Sequence, residues 1–343
     1  MSSEKLVSSV EIQSLGKMNV ADSSLVRTVE SSSPGLWFQA FESSTSQKAD
    51  TAKILGVFFR ELCEGKETVM FSDIGCARGI LGLAIAKELG AKRVQYLGID
   101  TEESALLEAQ KAFTIAGIGA KLVHNSCFTA EGRSELPDGA DISVLSHVAY
   151  YTKDLDGFTQ NYVEKLGKNG VAVFIHNPPD SDTNQLREKY GASIAFNTAM
   201  GIETFLGANY DMNATTLNSR LKFPDRMADF WEPLSQVSYD KKFTSHNPEL
   251  VRAKHLLEFA VQQPLEALQE KGVLDAYLTE VKEKLASQDN SLIVKSRIQA
   301  AISTFHEEPF LEIFDRSFKE METKIAEVEA VGAVKKQTQA LGF

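Results

Sequence analysis

The chain has 343 residues, a net charge of -11 at pH 7 and an isoelectric point near 5.2. The length exceeds one minimal domain and fits a core of about 200 to 250 residues with additional segments. The negative charge disfavours general attraction to nucleic-acid phosphate, and no apolar run reaches the roughly 20 residues of a membrane span. The three cysteines lack the spacing of a disulfide framework, and the N-terminus lacks a signal pattern. We therefore expect a cytoplasmic protein that binds neither nucleic acid nor membranes.

The N-terminal segment, residues 1–47, changes character along its length. Residues 1–32 are poor in bulky apolar side chains, and a group of aromatic residues that includes Trp37 and Phe38 follows them. A helix is predicted directly afterwards, over 48–62. Two interpretations remain open: the segment closes as a lid over a ligand cleft, or its aromatic side chains pack on the edge of a sheet.

A glycine turn between a strand and a helix is the most informative part of the sequence. The predicted order is strand, turn, helix and second strand, over 68–73, 74–79, 80–89 and 93–99. Gly75 and Gly79 lie in the turn, and Asp100 ends the second strand. This arrangement is typical of a site for a ribose-bearing ligand. The glycines let the backbone approach the ligand, and the acid accepts hydrogen bonds from ribose hydroxyls.

Strands and helices continue to alternate after this unit. Helices are predicted over 101–116 and 154–166, and strands over 121–127, 140–148 and 171–176. Such alternation predicts an α/β fold with a doubly wound, mostly parallel sheet that binds its ligand at the carboxyl ends of the strands. Residues 192–288 are predicted to be largely helical, with a strand over 215–223. Residues 291–302 are compatible with either a strand or a helix.

The motif Asp73-x-Gly75-x-x-x-Gly79, with Ala77 in place of a middle glycine, resembles motif I of the class I S-adenosylmethionine-dependent methyltransferases. The segment 143–191, with Tyr-Tyr-Thr-Lys-Asp after the fourth strand, resembles histamine N-methyltransferase and related small-molecule methyltransferases. These resemblances imply a Rossmann-like sheet of seven strands, the last antiparallel. They also imply S-adenosyl-L-methionine as cofactor, S-adenosyl-L-homocysteine as product, and direct transfer of a methyl group to a small-molecule acceptor, at nitrogen.

The motifs, the strand ends and the resemblance together give two sets of predicted site residues. The predicted cofactor contacts are Asp73, Gly75, Ala77, Gly79, Asp100, Thr101, Ser126, Cys127, Ser146 and His147. The predicted contacts of the methyl acceptor are Trp37, Phe38, Tyr150, Tyr151 and His176. We expect no metal ion, because the six histidines show no paired ligand spacing.

His147 is the candidate general base, since histidine titrates near neutrality and the fourth strand ends over the transfer site. Its alternative role is to shape the pocket through a hydrogen bond. Tyr150 and Tyr151 either present ring faces to the sulfonium or a cationic acceptor, or pack beneath the following helix. Three other functions stay open: a small-molecule O-methyltransferase with His147 as base, a methyltransferase of basic proteins, and a non-catalytic cofactor-binding scaffold.

The predicted domain organisation has four parts. They are an N-terminal extension, a cofactor-binding core, a helical substrate-side region that includes the last strands, and a C-terminal helix, over 1–47, 48–191, 192–305 and 306–343. The last helix is predicted to begin at Pro309. Its apolar residues recur every three or four positions, at Phe310, Phe314, Phe318, Met321, Ile325 and Val328. This stripe either packs on the parent domain or forms a dimer seam, so the protein is expected to be a monomer or a homodimer.

Overall fold

The computed structural model describes residues 34–191, 198–225, 227 and 248–340, so the predictions made for residues 1–32 lie outside the described residues. The chain divides into two compact units. The first comprises Met1–Ser46, Pro179–Phe196 and Ser219–Val294. The second comprises Gln47–Pro178, Asn197–Asn218 and Lys295–Phe343.

The described residues form one sheet of seven strands. These are β1 Val69–Ile74, β2 Val94–Asp100, β3 Ala120–His124, β4 Ala140–Ser146, β5 Leu166–His176, β6 Met212–Lys222 and β7 Ser291–Ile302. Their order across the sheet is β3-β2-β1-β4-β5-β7-β6. The first five strands are parallel, and β7 runs antiparallel to β5. The predicted α/β fold is confirmed, and the ambiguous segment 291–302 is a strand.

Helices connect and cover the strands. Before β4 they are α1 Pro34–Ser44, α2 Gln47–Leu62, α3 Ile80–Leu89, α4 Glu103–Ile115 and α5 Ala130–Ser134. After β4 they are α6 Leu155–Val163, α7 Asp182–Tyr190, α8 Thr198–Asn209, α9 Pro248–Val261, α10 Leu265–Glu270, α11 Leu274–Ser287 and α12 Glu308–Ala340. Among the helices of the described part of the chain, none is both long enough and apolar enough to cross a membrane.

The apolar stripe of α12 belongs to the core of the second unit. Phe314 and Phe318 are buried, and each has its ring centroid 5.9 Å from that of Phe58 on α2 in an edge-on arrangement. Met321 and Ile325 join the same cluster. The prediction that this stripe packs on the parent domain is confirmed.

Several strand boundaries differ from the prediction, among them the end of β3, at His124 instead of residue 127. Two of the differences, in β4 and β5, have backbone causes. β4 ends at Ser146 instead of residue 148, because His147 adopts a left-handed conformation with φ of 57°. β5 begins at Leu166, before the predicted turn, and Asn169 takes φ of 59° within the strand. The pairing with β4 jumps from Ala140–Leu166 to Ile142–Val171, so the predicted turn is a bulge inside β5.

The first unit has a core of its own, built mainly from α1, α7, α9 and α11. Trp37 is only 3% exposed there, and Phe41 stacks on Phe259 of α9 with centroids 4.1 Å apart. Asp182, at the start of α7, is also buried. Its Oδ1 accepts a hydrogen bond from Lys284 Nζ at 2.7 Å, and its Oδ2 accepts one from the Ile293 N–H at 2.7 Å. The carboxylate of Asp182 is therefore part of the framework of this unit.

Candidate cofactor and acceptor site

The turn after β1 contains three residues with positive φ. Gly75, Ala77 and Gly79 have φ values of 71°, 45° and 67°. The N–H groups of Gly75 and Cys76 donate to the carbonyl of Ile99 at 2.9 and 3.1 Å, which ties the turn to the end of β2. A Cβ at Gly75 would lie 3.0 Å from the Val148 side chain, and a Cβ at Gly79 would lie 2.7 Å from the Phe113 ring. A side chain at either position would therefore adopt a strained backbone conformation and displace a neighbouring side chain.

Asp100 fastens this turn with its carboxylate. Its Oδ2 accepts a hydrogen bond from the Ala77 N–H at 2.8 Å, and its Oδ1 accepts one from the Glu102 N–H at 2.9 Å. Burial raises the pKa of Asp100, and these N–H donors counteract the rise. Each carboxylate oxygen has two lone-pair positions, so each can accept one further hydrogen bond from a ligand hydroxyl. Thr101, the next residue, is exposed beside it.

Asp73 is buried beneath the turn, whereas Asp100 is half-buried and Thr101 is exposed. Asp73 is 3% exposed, and its Oδ2 accepts a hydrogen bond from the hydroxyl of Tyr96 at 2.8 Å. Burial raises its pKa to about 6, against the lowering effects of the Tyr96 hydrogen bond and of the Lys48 charge. Helix α3 can pass over this pair because position 82 is glycine, since a Cβ there would lie 2.5 Å from Asp73 Oδ2. Asp73 therefore anchors the base of the turn.

The sequence interpretation missed Tyr96. Tyr96, Gly98 and Asp100 alternate along β2, and alternate residues of a strand share one face. That pattern was available in the sequence. The hydrogen-bond partner of Tyr96 is Asp73, and this pairing follows only from the register of β1 and β2, in which Asp73 lies opposite Gly98.

The residues after β3 lie next to Asp100. The Asn125 N–H donates to the carbonyl of Asp100 at 3.0 Å, so the predicted contacts Ser126 and Cys127 follow directly from this corner. Ser126 is half-buried. Burial raises the pKa of the Cys127 thiol to about 12, and its carbonyl accepts a hydrogen bond from Tyr162 at 2.9 Å. Cys127 is therefore a protonated, apolar wall residue.

A second cluster lies where β4 and β5 end. Ser146 is the last residue of β4, and the left-handed His147 after it donates its N–H to the carbonyl of Ile175 at 2.8 Å. The imidazole is half-buried, and its Nδ1 lies 3.2 Å from the hydroxyl of Tyr150. That hydroxyl also accepts a hydrogen bond from the Asn177 N–H at 2.7 Å. Tyr150 thus links the ends of the two strands.

His176, the last residue of β5, completes this cluster. It is fully buried, and its ring meets that of Tyr150 edge-on with centroids 4.9 Å apart. Its Nε2 accepts a hydrogen bond from the Ala149 N–H at 3.3 Å, and burial lowers its pKa. His176 is therefore neutral with its proton on Nδ1, an atom that has no hydrogen-bond partner among the residues the structure describes.

The structure places the predicted residues in three locations. The turn residues, Asp100, Thr101, Ser126 and Cys127 gather at the carboxyl ends of β1 to β3. Ser146, His147, Tyr150 and His176 gather at the ends of β4 and β5, and Tyr151 is 49% exposed beside them. Trp37 and Phe38 belong to the first unit, where Phe38 lies 6.2 Å from Phe259 between ring centroids. Within residues 34–191, 198–225, 227 and 248–340, no group of three His, Cys, Asp or Glu side chains has a metal-binding arrangement.

Comparison with known proteins gives only distant structural similarity, at low sequence identity. No family model matches the chain, and no curated protein matches it. A putative methyltransferase from Bacillus halodurans has a TM-score of 0.45 at 16% identity, covering 75% of this chain and 100% of that one. YcgJ from Bacillus subtilis has 0.44 at 14% identity, covering 73% and 98%. The plantazolicin methyltransferase BpumL, in complex with S-adenosylhomocysteine, has 0.43 at 13% identity, covering 88% and 98%.

The strand order with its antiparallel β7 decides the fold class. The fold is that of the class I S-adenosylmethionine-dependent methyltransferases. The closer resemblance to histamine N-methyltransferase stays a prediction.

Proposed function

We propose that this protein transfers the methyl group of S-adenosylmethionine to a small-molecule acceptor. The observation that carries the proposal is the positive-φ turn between β1 and α3, fastened by the Asp100 carboxylate to the Ala77 N–H at 2.8 Å. The turn lies at the carboxyl edge of a methyltransferase sheet, where α/β folds bind their ligands.

The residues of the turn fit this cofactor. A Cβ at Gly75 would crowd Val148 and a Cβ at Gly79 would collide with Phe113, so both positions keep the turn free of side chains. Asp100 retains acceptor capacity for the two ribose hydroxyls. We assign Thr101, Ser126 and Cys127 to the adenosine side, and Ser146 and His147 to the side of the reacting methyl group.

When bound, the cofactor supplies an electrophilic methyl group, so the protein has to align the acceptor and exclude water. The second cluster, of His147, Tyr150 and His176, stands next to the turn because β4 pairs directly with β1. We propose a nitrogen acceptor, which rests on the resemblance of Tyr150-Tyr151-Thr-Lys-Asp to the histamine N-methyltransferase group.

A hydroxyl acceptor is the second candidate. The contact of His147 Nδ1 with the Tyr150 hydroxyl favours it, because a hydroxyl gains most from a base held in a fixed orientation. That Trp37 and Phe38 contact the acceptor stays a prediction, and the burial of Trp37 in the core of the first unit does not favour it.

Calorimetric titration with S-adenosylmethionine and S-adenosylhomocysteine tests the cofactor. We expect micromolar binding, weakened about tenfold or more by Asp100→Ala, which corresponds to roughly 1.4 kcal/mol. Asp138→Ala is the matched control, because Asp138 precedes β4 at the opposite, amino end of the strands. Wild-type protein that binds neither compound would remove the proposal.

Incubation with labelled S-adenosylmethionine and separate pools of amines, phenols and basic proteins tests the acceptor class. Label in the amine or phenol pool supports a small-molecule acceptor and distinguishes nitrogen from oxygen. Label in the protein pool alone contradicts the small-molecule proposal. Cofactor binding without transfer to any pool would favour the non-catalytic scaffold.

A further inference from the structure

His147 has a strained backbone conformation at the end of β4. Its φ of 57° lies in the left-handed region, which costs a residue other than glycine about 1 to 2 kcal/mol. The conformation turns the chain out of β4 while the His147 N–H still bonds the Ile175 carbonyl. The imidazole consequently lies within hydrogen-bond distance of the hydroxyl of Tyr150, three positions later in the chain.

Two backbone N–H groups fix the protons of its neighbours. The Asn177 N–H can only donate, so the Tyr150 oxygen is the acceptor of that 2.7 Å hydrogen bond. The Ala149 N–H can likewise only donate, so His176 Nε2 carries no proton. Two titratable side chains that contact His147 are Tyr150 on the turn after β4 and His176 on β5. His176 is uncharged because its Nε2 accepts the hydrogen bond from the Ala149 N–H, and a tyrosine hydroxyl ordinarily keeps its proton near neutral pH. Neither repels a positive charge on His147.

Protonation of His147 determines which atom donates the hydrogen bond in its contact with Tyr150. An imidazolium carries a proton on both ring nitrogens, so its Nδ1–H must donate to the Tyr150 oxygen 3.2 Å away. A hydrogen bond from a charged donor is stronger than one between neutral groups. The contact with Tyr150 therefore favours the protonated form of His147.

We propose that Tyr150 is a positioning residue, which orients His147 and stabilises its protonated form during proton removal from the acceptor. This inference rests on the proposed function. Nε2 of His147 takes the proton of the acceptor hydroxyl or nitrogen. The acceptor lone pair forms the bond to the methyl carbon, and the electron pair of the broken carbon–sulfur bond stays on sulfur. The proton then passes from His147 to solvent, and Tyr150 keeps its own proton throughout.

NMR titration of the histidine rings tests the pair without any acceptor. His147→Asn identifies the His147 signal, because asparagine tolerates the left-handed conformation. We expect Tyr150→Phe, which keeps the ring against His176, to lower the pKa of His147 by about one unit. Tyr210→Phe, a substitution elsewhere in the second unit, is the matched control and should leave this pKa unchanged. Equal pKa values in wild type and Tyr150→Phe would overturn the proposal.

A wild-type measurement guards against a Tyr150→Phe variant that fails to fold, since Tyr150 also accepts the Asn177 N–H. At low pH the protonated His147 should show a downfield, slowly exchanging Nδ1 proton, held by the Tyr150 oxygen. Rapid exchange of that proton with water would also overturn the proposal.

Cofactor titration separates this inference from the proposed function. Tyr150→Phe should bind S-adenosylmethionine within about twofold of wild type, because its hydroxyl contacts strand ends and not the glycine turn. Wild type that does not bind refutes the function, whereas normal binding with an unchanged His147 pKa refutes the positioning role alone. Once an acceptor is known, Tyr150→Phe should shift the acidic limb of the pH–rate profile downwards, and His147→Asn should abolish that limb.

Discussion

The hydroxyl of Tyr96 donates a 2.8 Å hydrogen bond to Oδ2 of Asp73, beneath the turn that begins the proposed cofactor site. Burial raises the pKa of Asp73 from 3.8 to about 6, so the folded protein holds this proton more tightly than the unfolded chain. The contribution of this group to stability is therefore complete below about pH 4. It is lost as the pH rises from about 4 to about 6.

We expect Asp73→Asn to remove this pH dependence, because asparagine stays uncharged and its carbonyl can still accept from Tyr96. Between pH 4 and pH 7.5, the variant should lose up to about 3 kcal/mol less unfolding free energy than wild type. Denaturant unfolding at a series of pH values measures the difference. Asp138→Asn is the control, since the pKa of Asp138 is lowered by Lys165 and its effect has the opposite sign. A parallel pH dependence in wild type and Asp73→Asn would contradict the prediction.

The glycine turn gives a second prediction, which separates backbone strain from crowding. Gly65 and Gly79 both have positive φ, but a Cβ at Gly65 would have no neighbour within 4 Å, whereas one at Gly79 would lie 2.7 Å from Phe113. We expect Gly65→Ala to cost about 1 kcal/mol of stability from strain alone. Gly79→Ala should cost about 1 to 3 kcal/mol more because it overpacks Phe113. Equal losses in chemical denaturation would show that the turn relaxes around the added methyl group.

The contact of α12 with α2 predicts a large effect of truncating its central aromatic residue. Phe314 is 1% exposed and meets Phe58, whereas Phe305 is 69% exposed. Phe314→Ala should destabilise the protein by about 3 to 5 kcal/mol, and Phe305→Ala by less than about 0.5 kcal/mol. Thermal and denaturant unfolding of both variants provide the comparison. A small loss in Phe314→Ala would mean that the stripe is not part of the core in solution.

For the ion pair of Asp182 and Lys284, we expect that removing one partner destabilises the protein more than replacing both. The two side chains are 10% and 20% exposed, and the Asp182 carboxylate also accepts the Ile293 N–H. Asp182→Ala leaves a partly buried ammonium and an unsatisfied N–H, so we expect a loss of about 3 kcal/mol. The exposed pair Lys324–Glu327 serves as control, with less than about 0.5 kcal/mol lost in Glu327→Gln. A double variant Asp182→Ala, Lys284→Met that recovers no stability would argue against the uncompensated charge.

Much of the fold followed from local patterns in the sequence. The alternation of strands and helices predicted the parallel core, and the spacing of Phe310, Phe314 and Phe318 predicted a packed helix face. Periodicity failed where the backbone left the regular conformations. Nothing in the apolar pattern of residues 140–148 indicated that His147 would take a positive φ and end β4 at Ser146.

The candidate site was predictable in its types of residue but not in its pairings. Gly75, Gly79 and Asp100 come together because consecutive parallel strands place their carboxyl ends at one edge. The contact of Tyr150 with the Asn177 N–H joins residues 27 positions apart, and the contact of Tyr96 with Asp73 joins residues 23 apart. Both depend on strand register and side-chain rotamers, which a single sequence does not encode in any short motif.

The position of β7 between β5 and β6 constrains the order in which the sheet can form during synthesis. While only the first 222 residues have left the ribosome, β5 has β4 on one side and an open edge on the other. Val171, Val173 and Ile175 then lie in a strongly apolar edge strand, and such edges recruit other chains. The edge closes only after β7 is made, more than a hundred residues after β5. We expect the nascent chain to be most prone to aggregation during that interval.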